Sequence, residues 1–131
     1  MNEDFVSFEL AVKLKKKGFN KGCIKFYDCN KQLQWSNSPW LELDYNGSYR
    51  NIISAPTILQ VLKWLRTEKE IDVVIYPIDA CTVFMGGEKY ILSVYISRKR
   101  DYKLHHDNKD KYVEWEDAAL AGIEYVLNNL I

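Results

Sequence analysis

The apolar residues in the second half of the chain change their spacing twice, and this pattern constrains the fold more than any other feature of the sequence. Over residues 54–66 they recur every three or four positions, as in an amphipathic helix. Over residues 71–97 apolar residues recur at every second position, as in strands, so that Ile71, Val73 and Ile75 share one face. From residue 115 the helical spacing returns. The chain order therefore predicts a helix, three antiparallel strands and a second helix.

The first of these helices carries a start signal of its own. Thr57 is followed three positions later by Gln60, which is the spacing of a capping box, and Ser54 is the alternative cap. Pro56 is expected in the first turn, where its missing N–H is no loss. The apolar stripe comprises Ile58, Val61, Leu62 and Leu65, with Leu59 and Trp64 at its edges.

Turn residues divide the rest of the chain. Gly86 and Gly87 supply a two-residue hairpin turn, because glycine tolerates positive φ at both positions. Asn46 and Gly47 indicate a short hairpin or an ordered loop, and the charged residues 98–111 are predicted as a loop. The register predicted from the glycine turn pairs Met85 with Glu88, Val83 with Tyr90, and Cys81 with Leu92.

The last helix has a glycine, Gly122, inside its apolar stripe. Glycine inside a helix costs roughly 1 kcal/mol relative to alanine. We therefore expect a packing reason for it, namely a close approach of the helix to the sheet.

The first half of the chain predicts a helix and a β-hairpin. Ser7 is the expected N-cap of a helix over residues 7–17, and Gly18 follows its last turn, where a left-handed residue is usual. A strand over residues 24–27, a polar turn and a return strand over residues 33–35 form the hairpin.

Together these elements predict an α+β fold in two layers, with an antiparallel sheet packed under helices. The second half has the order α-β-β-β-α, and the N-terminal helix and β-hairpin precede it. At 131 residues the chain fits a single domain, residues 1–131, and can bury a core without disulfide bonds.

The stretch SAPTILQVLKWLR, followed later by WEDAALAGIEYVLNNLI, resembles a pair of helices in a group of small uncharacterised proteins of gut bacteria and their prophages. In that group a helix with the pattern APT..Q..KWLR accompanies a C-terminal helix similar to the one here. The resemblance implies a single cytoplasmic domain of bacterial or prophage origin. It supplies no catalytic residue.

The order α-β-β-β-α also resembles the topology of double-stranded-RNA-binding domains. Those domains place a lysine-rich motif at the start of the last helix, where it holds phosphates. This chain has Glu114, Glu116 and Asp117 there, and these acids would repel a phosphate. The resemblance therefore implies a similar topology without RNA binding of that kind.

The charge balance rules out a global attraction to polyanions. The chain has 18 Lys and Arg against 18 Asp and Glu, so any binding to nucleic acid or anionic lipid has to come from a local patch. No apolar run approaches the length of a membrane span, and the acidic N-terminus is unlike a signal peptide. The three cysteines are expected as free thiols in a reducing cytoplasm.

The sequence predicts no catalytic residue, no metal site and no cofactor. His105 and His106, beside Asp107, lack the spacing of a metal motif. Cys23 and Cys29 would need two further zinc ligands, which the sequence does not place. A solvated loop and free thiols account for these residues.

Two basic clusters are candidate phosphate-binding surfaces. One surrounds the end of the first helix, residues 13–21, and the other lies in residues 98–111, where aspartates dilute it. A solvated, solubilising surface is the alternative interpretation. The candidate residues are Lys15, Lys16, Lys17, Lys21, Arg98, Lys99 and Arg100.

The predicted helices cover one face of the sheet, so the other face needs a cover of its own. The N-terminal strands or another chain would provide it, and the second case gives a homodimer or a partner interface. Elsewhere, Trp35 and Trp40 either stack on a ligand or partner or cap the core. The open face would carry Val74, Tyr76, Phe84, Ile91 and Tyr95.

The favoured function is a non-enzymatic interaction or binding module of the cytoplasm, whose partner is a second copy of the chain or another protein. The alternative is a nucleic-acid-binding accessory protein that uses the two basic clusters. No membrane partner is expected.

Overall fold

The computed structural model describes residues 5–36, 42–48, 51–77, 90–98, 101–112 and 114–131. The chain divides into two compact units. The first comprises Met1–Val61 with Ile131, and the second comprises Leu62–Leu130. Each unit has its own sheet, and the prediction of one domain over residues 1–131 stays a prediction.

The first unit opens with helix α1, Phe8–Lys16, which begins where the sequence predicts. Leu10 donates its backbone N–H to Ser7 Oγ at 3.2 Å, so Ser7 is the N-cap. Gly18 has a φ of 88° directly after the helix, which confirms the left-handed residue at this end. The helix buries Leu10, Ala11 and Leu14.

The predicted N-terminal hairpin is confirmed. Strand β1, Lys25–Tyr27, pairs antiparallel with β2, Leu33–Trp35. The carboxylate of Asp28 holds the turn, because its Oδ1 accepts the backbone N–H of Asn30 at 2.9 Å and of Gln32 at 3.0 Å. On its other side β1 pairs with the short strand β3, Ile53–Ser54, which gives the strand order β2-β1-β3.

Asn46 and Gly47 lie in a short helix, α2, Tyr45–Ser48, so the hairpin alternative for this segment is wrong. Asp44 Oδ1 accepts the backbone N–H of Gly47 at 3.2 Å, which closes the helical turn. The side chain of Asn46 bonds to distant backbone groups instead of closing a local turn.

Helix α3, Ile58–Glu68, begins in the first unit and ends in the second. The capping box is confirmed, since Thr57 N donates to Gln60 Oε1 at 2.9 Å and Gln60 N donates to Thr57 Oγ1 at 3.2 Å. Pro56 therefore precedes the cap and does not lie in the first turn as predicted. Its carbonyl oxygen accepts the Val6 N–H at 3.0 Å, a bond that favours an extended conformation at this point.

The second unit contains a three-stranded antiparallel sheet with the order β4-β5-β6. Its strands are β4, Ile71–Pro77, β5, Tyr90–Arg98, and β6, Asp101–Tyr112. The last helix, α4, Trp115–Asn129, packs against all three strands. The predicted α+β class, with an antiparallel sheet under a helical layer and the order α-β-β-β-α, is confirmed.

Two predictions about the strands are wrong. Strand β5 is paired on both sides, with Leu92 opposite Ile75 and Asn108, so Leu92 does not pair with Cys81. Tyr90 likewise lies opposite Pro77 and Tyr112 and not opposite Val83. The glycine turn itself, with Met85 and Glu88, lies outside the described residues.

The charged segment predicted as a loop forms most of β6, and the hairpin that leads into it pairs Arg98 with Asp101. In the described part of the sheet β6 is an edge strand. Charged residues are common on such edges, because they discourage pairing with other chains.

Candidate interaction surface

An ammonium group lies between two aromatic rings on the first hairpin. Lys25 Nζ is 4.3 Å from the centroid of the Phe5 ring and 4.2 Å from that of the Trp35 ring. Trp35 lies directly opposite Lys25 in the hairpin register, so the two side chains share a face of the sheet. The attraction of a cation to aromatic faces stabilises this arrangement.

Strand β2 is exposed along its whole length. Trp35 exposes 59% of its surface and Leu33 exposes 39%, and Gln34 between them is exposed as well. Exposed aromatic and aliphatic groups beside a cation are typical of binding surfaces. We call Phe5, Lys25, Leu33 and Trp35 the hairpin surface.

Beside the hairpin surface, on the same face of the sheet, lies a packed region. Tyr27, opposite Leu33, is buried, and its hydroxyl donates to Val6 O at 2.6 Å. The ring of Phe8 meets it edge-on, with centroids 5.5 Å apart. Burial raises the pKa of Tyr27, and the charge of Glu9 adds to the rise. The phenol is therefore a structural hydrogen-bond donor at neutral pH.

The opposite side of the hairpin is equally fixed. Phe26 packs against Tyr45 with ring centroids 4.7 Å apart. Asp28 Oδ2 accepts from Gln34 Nε2 at 3.1 Å, which ties the turn to β2. Hydrogen bonds from the Gln32 backbone and from Gln34 and Asn30 lower the pKa of Asp28, so the turn keeps its acceptor at neutral pH.

No protein-family model, curated protein or solved structure matches this chain. The resemblances to the small proteins of gut bacteria and to the topology of double-stranded-RNA-binding domains therefore stay predictions. The case for a function rests on the surfaces of the molecule.

The structure places the first basic cluster around the C-terminus of α1. Lys15 and Lys16 lie in the last turn, Lys17 is the C-cap, and Lys21 is exposed in the following segment. Lys17 Nζ donates to the carbonyl oxygen of Ile131. Cations at a helix C-terminus also stabilise the helix dipole, so the lysines of α1 have a structural role that does not depend on phosphate.

The second basic cluster is described only in part. Arg98 ends β5, while Lys99 and Arg100 lie outside the described residues. The two clusters belong to different units. Phosphate binding by either of them stays a prediction.

The predicted open sheet face carries polar positions among the apolar ones. In the register Tyr76 lies opposite Ile91, but Val74 lies opposite Ser93 and Asp72 opposite Tyr95. The side chains of Val74 and Tyr76 are half-buried, and Phe84 lies outside the described residues. A homodimer through this face stays a prediction.

The histidines predicted on a loop lie on strand β6, with His106 opposite Val94. In the part of the chain that the structure describes, no group of three or more His, Cys, Asp or Glu residues is placed to hold a metal ion. Within the same residues, no helix has the length and apolar character needed to cross a membrane.

Cys23 is a buried thiol in the first unit. It is 0% exposed, and its Sγ donates to Lys21 O at 3.5 Å. Burial raises the pKa of this thiol to about 12, so Cys23 stays protonated and unreactive at neutral pH. Cys29, in contrast, is exposed.

Alkaline pH is expected to destabilise the fold through Cys23. The unfolded thiol titrates near its ordinary pKa of 9.0, whereas the folded thiol keeps its proton to about pH 12. Between these values the unfolded state binds fewer protons, so the free energy of unfolding falls as pH rises, by up to about 1.4 kcal/mol per pH unit. Tyr27, with its raised pKa, adds to the fall above its ordinary value of 10.0.

Urea unfolding between pH 8 and pH 10 checks this prediction. Cys23→Ala should flatten the slope above pH 9, and Cys29→Ala, which removes an exposed thiol, should leave it unchanged. An equally steep slope in the Cys23→Ala protein would show that another group causes it.

Sequence reasoning identified Trp35 but missed the other members of the hairpin surface. For Trp35 the interpretation as a cap on the core is wrong, since the residue is exposed over 59% of its surface. Trp40 lies outside the described residues. The missed signal is the register, because Lys25 lies opposite Trp35 once Tyr27 and Leu33, the facing ends of the two strands, are paired.

Proposed function

We propose that this chain is a non-enzymatic interaction module of a bacterial or prophage cytoplasm and that it contacts protein chains through the hairpin surface. The supporting observation is the exposure of Trp35, at 59%, on an edge strand whose neighbouring Leu33 is exposed as well. Tryptophan is enriched among the residues that contribute most to binding at protein interfaces. The packing of Tyr27 against Phe8 beside this surface supports the same conclusion, because a preordered surface binds at lower entropic cost.

Nucleic acid is the competing partner, since a base can stack on an exposed tryptophan beside a lysine. Binding to a polyanion, however, depends on several phosphate contacts. Strand β2 contains no charged residue, and Lys25 already lies against two rings. These features favour a protein partner over the basic-cluster alternative.

Site-specific photo-crosslinking in bacterial cells tests the proposal. The variant Trp35→p-benzoylphenylalanine is compared with the same substitution at Leu59, an apolar residue that is 66% exposed on α3. Position 35 should give discrete protein adducts at least about tenfold more abundant than position 59. Leu33→Ser should reduce the adducts at position 35.

Two results would overturn the proposal. The first is an absence of adducts at position 35 above the level at position 59. The second is an adduct that nuclease treatment removes, which would assign the hairpin surface to nucleic acid.

A further inference from the structure

The hydrogen-bond pattern between β1 and β2 determines which backbone groups of β2 point away from β1. Ser36 N donates to Ile24 O at 2.8 Å, and Asp28 N donates to Gln32 O at 3.0 Å. Along an antiparallel strand, residues whose backbone N–H and C=O groups point to the neighbouring strand alternate with residues whose groups point away. Gln34 lies two residues from both Gln32 and Ser36, so its backbone groups also face β1. Those of Leu33 and Trp35 face away from β1, and no described residue pairs with them.

This edge lacks the protection that the other sheet has. Strand β6, an edge strand of the second unit, carries lysines and aspartates along its length. Strand β2 reads Leu-Gln-Trp and has no charge, proline or bulge, which are the usual barriers to strand addition. The outer edge of β2 is therefore suited to pair with another strand.

We infer that β2 pairs antiparallel with β2 of a second copy, about a two-fold axis at Gln34. In this register Leu33 lies opposite Trp35 of the second copy, and the two residues exchange both backbone hydrogen bonds. The same holds for Trp35 and Leu33 of the second copy, so each exposed indole gains an aliphatic neighbour. This inference rests on the proposed function, because it uses the same hairpin surface.

The charges of two copies are compatible with this pairing. Neutral residues meet along the whole of β2, and Gln34 lies opposite Gln34 of the second copy. Lys25 lies one strand inward on each copy, so the backbones that carry the two lysines are three strand spacings apart, or roughly 14 Å. Each ammonium group stays beside its own Phe5 and Trp35 rings, and salt screens the repulsion between charges that lie more than about 8 Å apart.

The size of the contact sets its strength. Stable complexes bury at least about 1,200 Å² in total, and a strand of three residues falls short of that area. The dimer is therefore a weak, concentration-dependent one, and a covalent trap is the appropriate measurement.

A disulfide trap at the two-fold axis tests the inference. Gln34 and Gln34 of the second copy form a non-hydrogen-bonded pair, whose Cα atoms lie about 4.5 Å apart, within the range of a disulfide. Purified Gln34→Cys is prepared with Cys29→Ser and Cys81→Ser, which leaves Cys23 as a buried thiol. The matched control is Leu59→Cys in the same background, since Leu59 is 66% exposed on another element.

Under one oxidant, the Gln34→Cys protein should form disulfide-linked dimers at least about tenfold faster than the Leu59→Cys protein. Adding Trp35→Glu to the Gln34→Cys protein should slow the formation of the disulfide-linked dimer by about tenfold, because it places a charge opposite Leu33 of the second copy. Glutamate at this position still has Lys25 as a neighbour, and circular dichroism verifies that the variant is folded.

Equal oxidation rates for Gln34→Cys and Leu59→Cys would overturn the inference. Rapid disulfide formation by the Gln34→Cys protein at a rate that Trp35→Glu leaves unchanged would also overturn it. If cells nevertheless give an adduct at position 35 with a different protein, the proposed function stands and only the pairing with a second copy is wrong. If both experiments fail, the proposed function and the pairing with a second copy are both rejected.

Discussion

Replacing Asn46 with alanine is expected to lower the free energy of unfolding by about 2–4 kcal/mol. The Asn46 side chain donates from Nδ2 to Phe19 O at 3.0 Å and accepts the Ser54 N–H on Oδ1 at 2.9 Å. Its backbone N–H donates to Ser54 Oγ at 3.2 Å. Ser54 is 0% exposed, so its N–H would be left buried without a partner, at a cost of about 1–3 kcal/mol.

Two further variants separate the bonds of Asn46. Asn46→Asp keeps the acceptor for Ser54 but turns the donor into an oxygen that faces Phe19 O, so it should remain clearly less stable than the natural protein. Asn20→Ala removes an exposed asparagine and should change stability by less than about 0.5 kcal/mol. Urea unfolding measures all three, and an Asn46→Ala protein as stable as Asn20→Ala would contradict the structural role of this side chain.

Gly122→Ala is expected to destabilise the second unit by about 1–3 kcal/mol. Gly122 is buried in α4, and a Cβ added there would overlap Cγ1 of Val73 on β4. A valine side chain is stiff at χ1, so it cannot turn aside at low cost. Helix propensity alone predicts the opposite sign, a gain of about 1 kcal/mol. The sign of the change therefore tests the close approach of α4 to the sheet.

Val73→Ala provides the matched background for this test. With the valine methyl groups removed, Gly122→Ala should become neutral or stabilising by up to about 1 kcal/mol. The coupling between the two substitutions, measured by a double-mutant cycle in urea, should then exceed about 1 kcal/mol. Additive effects would show that the two residues do not meet.

Elements defined by short-range chemistry could be predicted from the sequence. Ser7 and the capping box of Thr57 bond within their own first turns. The glycine at position 122 indicated a close packing contact before the sheet was known. For the two helix caps, the residues that determine the structure are neighbours in the sequence. For Gly122, a glycine inside a helix has one main physical reason, which is a close packing contact.

Elements decided by distant partners could not be predicted in the same way. Asn46 and Gly47 are typical of a hairpin turn, but bonds from Asn46 to Phe19 and Ser54 determine a helical turn instead. The charges of strand β6 resemble those of a solvated segment, so the sequence predicts a loop there. Only its position at the edge of a sheet explains why so many charges are compatible with a strand.

The candidate surface was predictable in one residue and hidden in the rest. Trp35 was noticeable as a tryptophan beside a polar segment. Leu33 is 39% exposed whereas Tyr27, which lies opposite it, is buried, and such a difference in coverage is a property of the tertiary fold. A sequence pattern reports which residues share a face and not what lies above that face.

The position of Lys25 has a thermodynamic consequence for any association at this surface. A free lysine side chain samples many rotamers, and fixing it costs up to about 2 kcal/mol of conformational entropy. Because Phe5 and Trp35 hold the ammonium between them in the isolated chain, most of that ordering takes place during folding. Association at the hairpin then leaves the side-chain entropy of Lys25 nearly unchanged, and the preference for one docking geometry is present before a partner arrives.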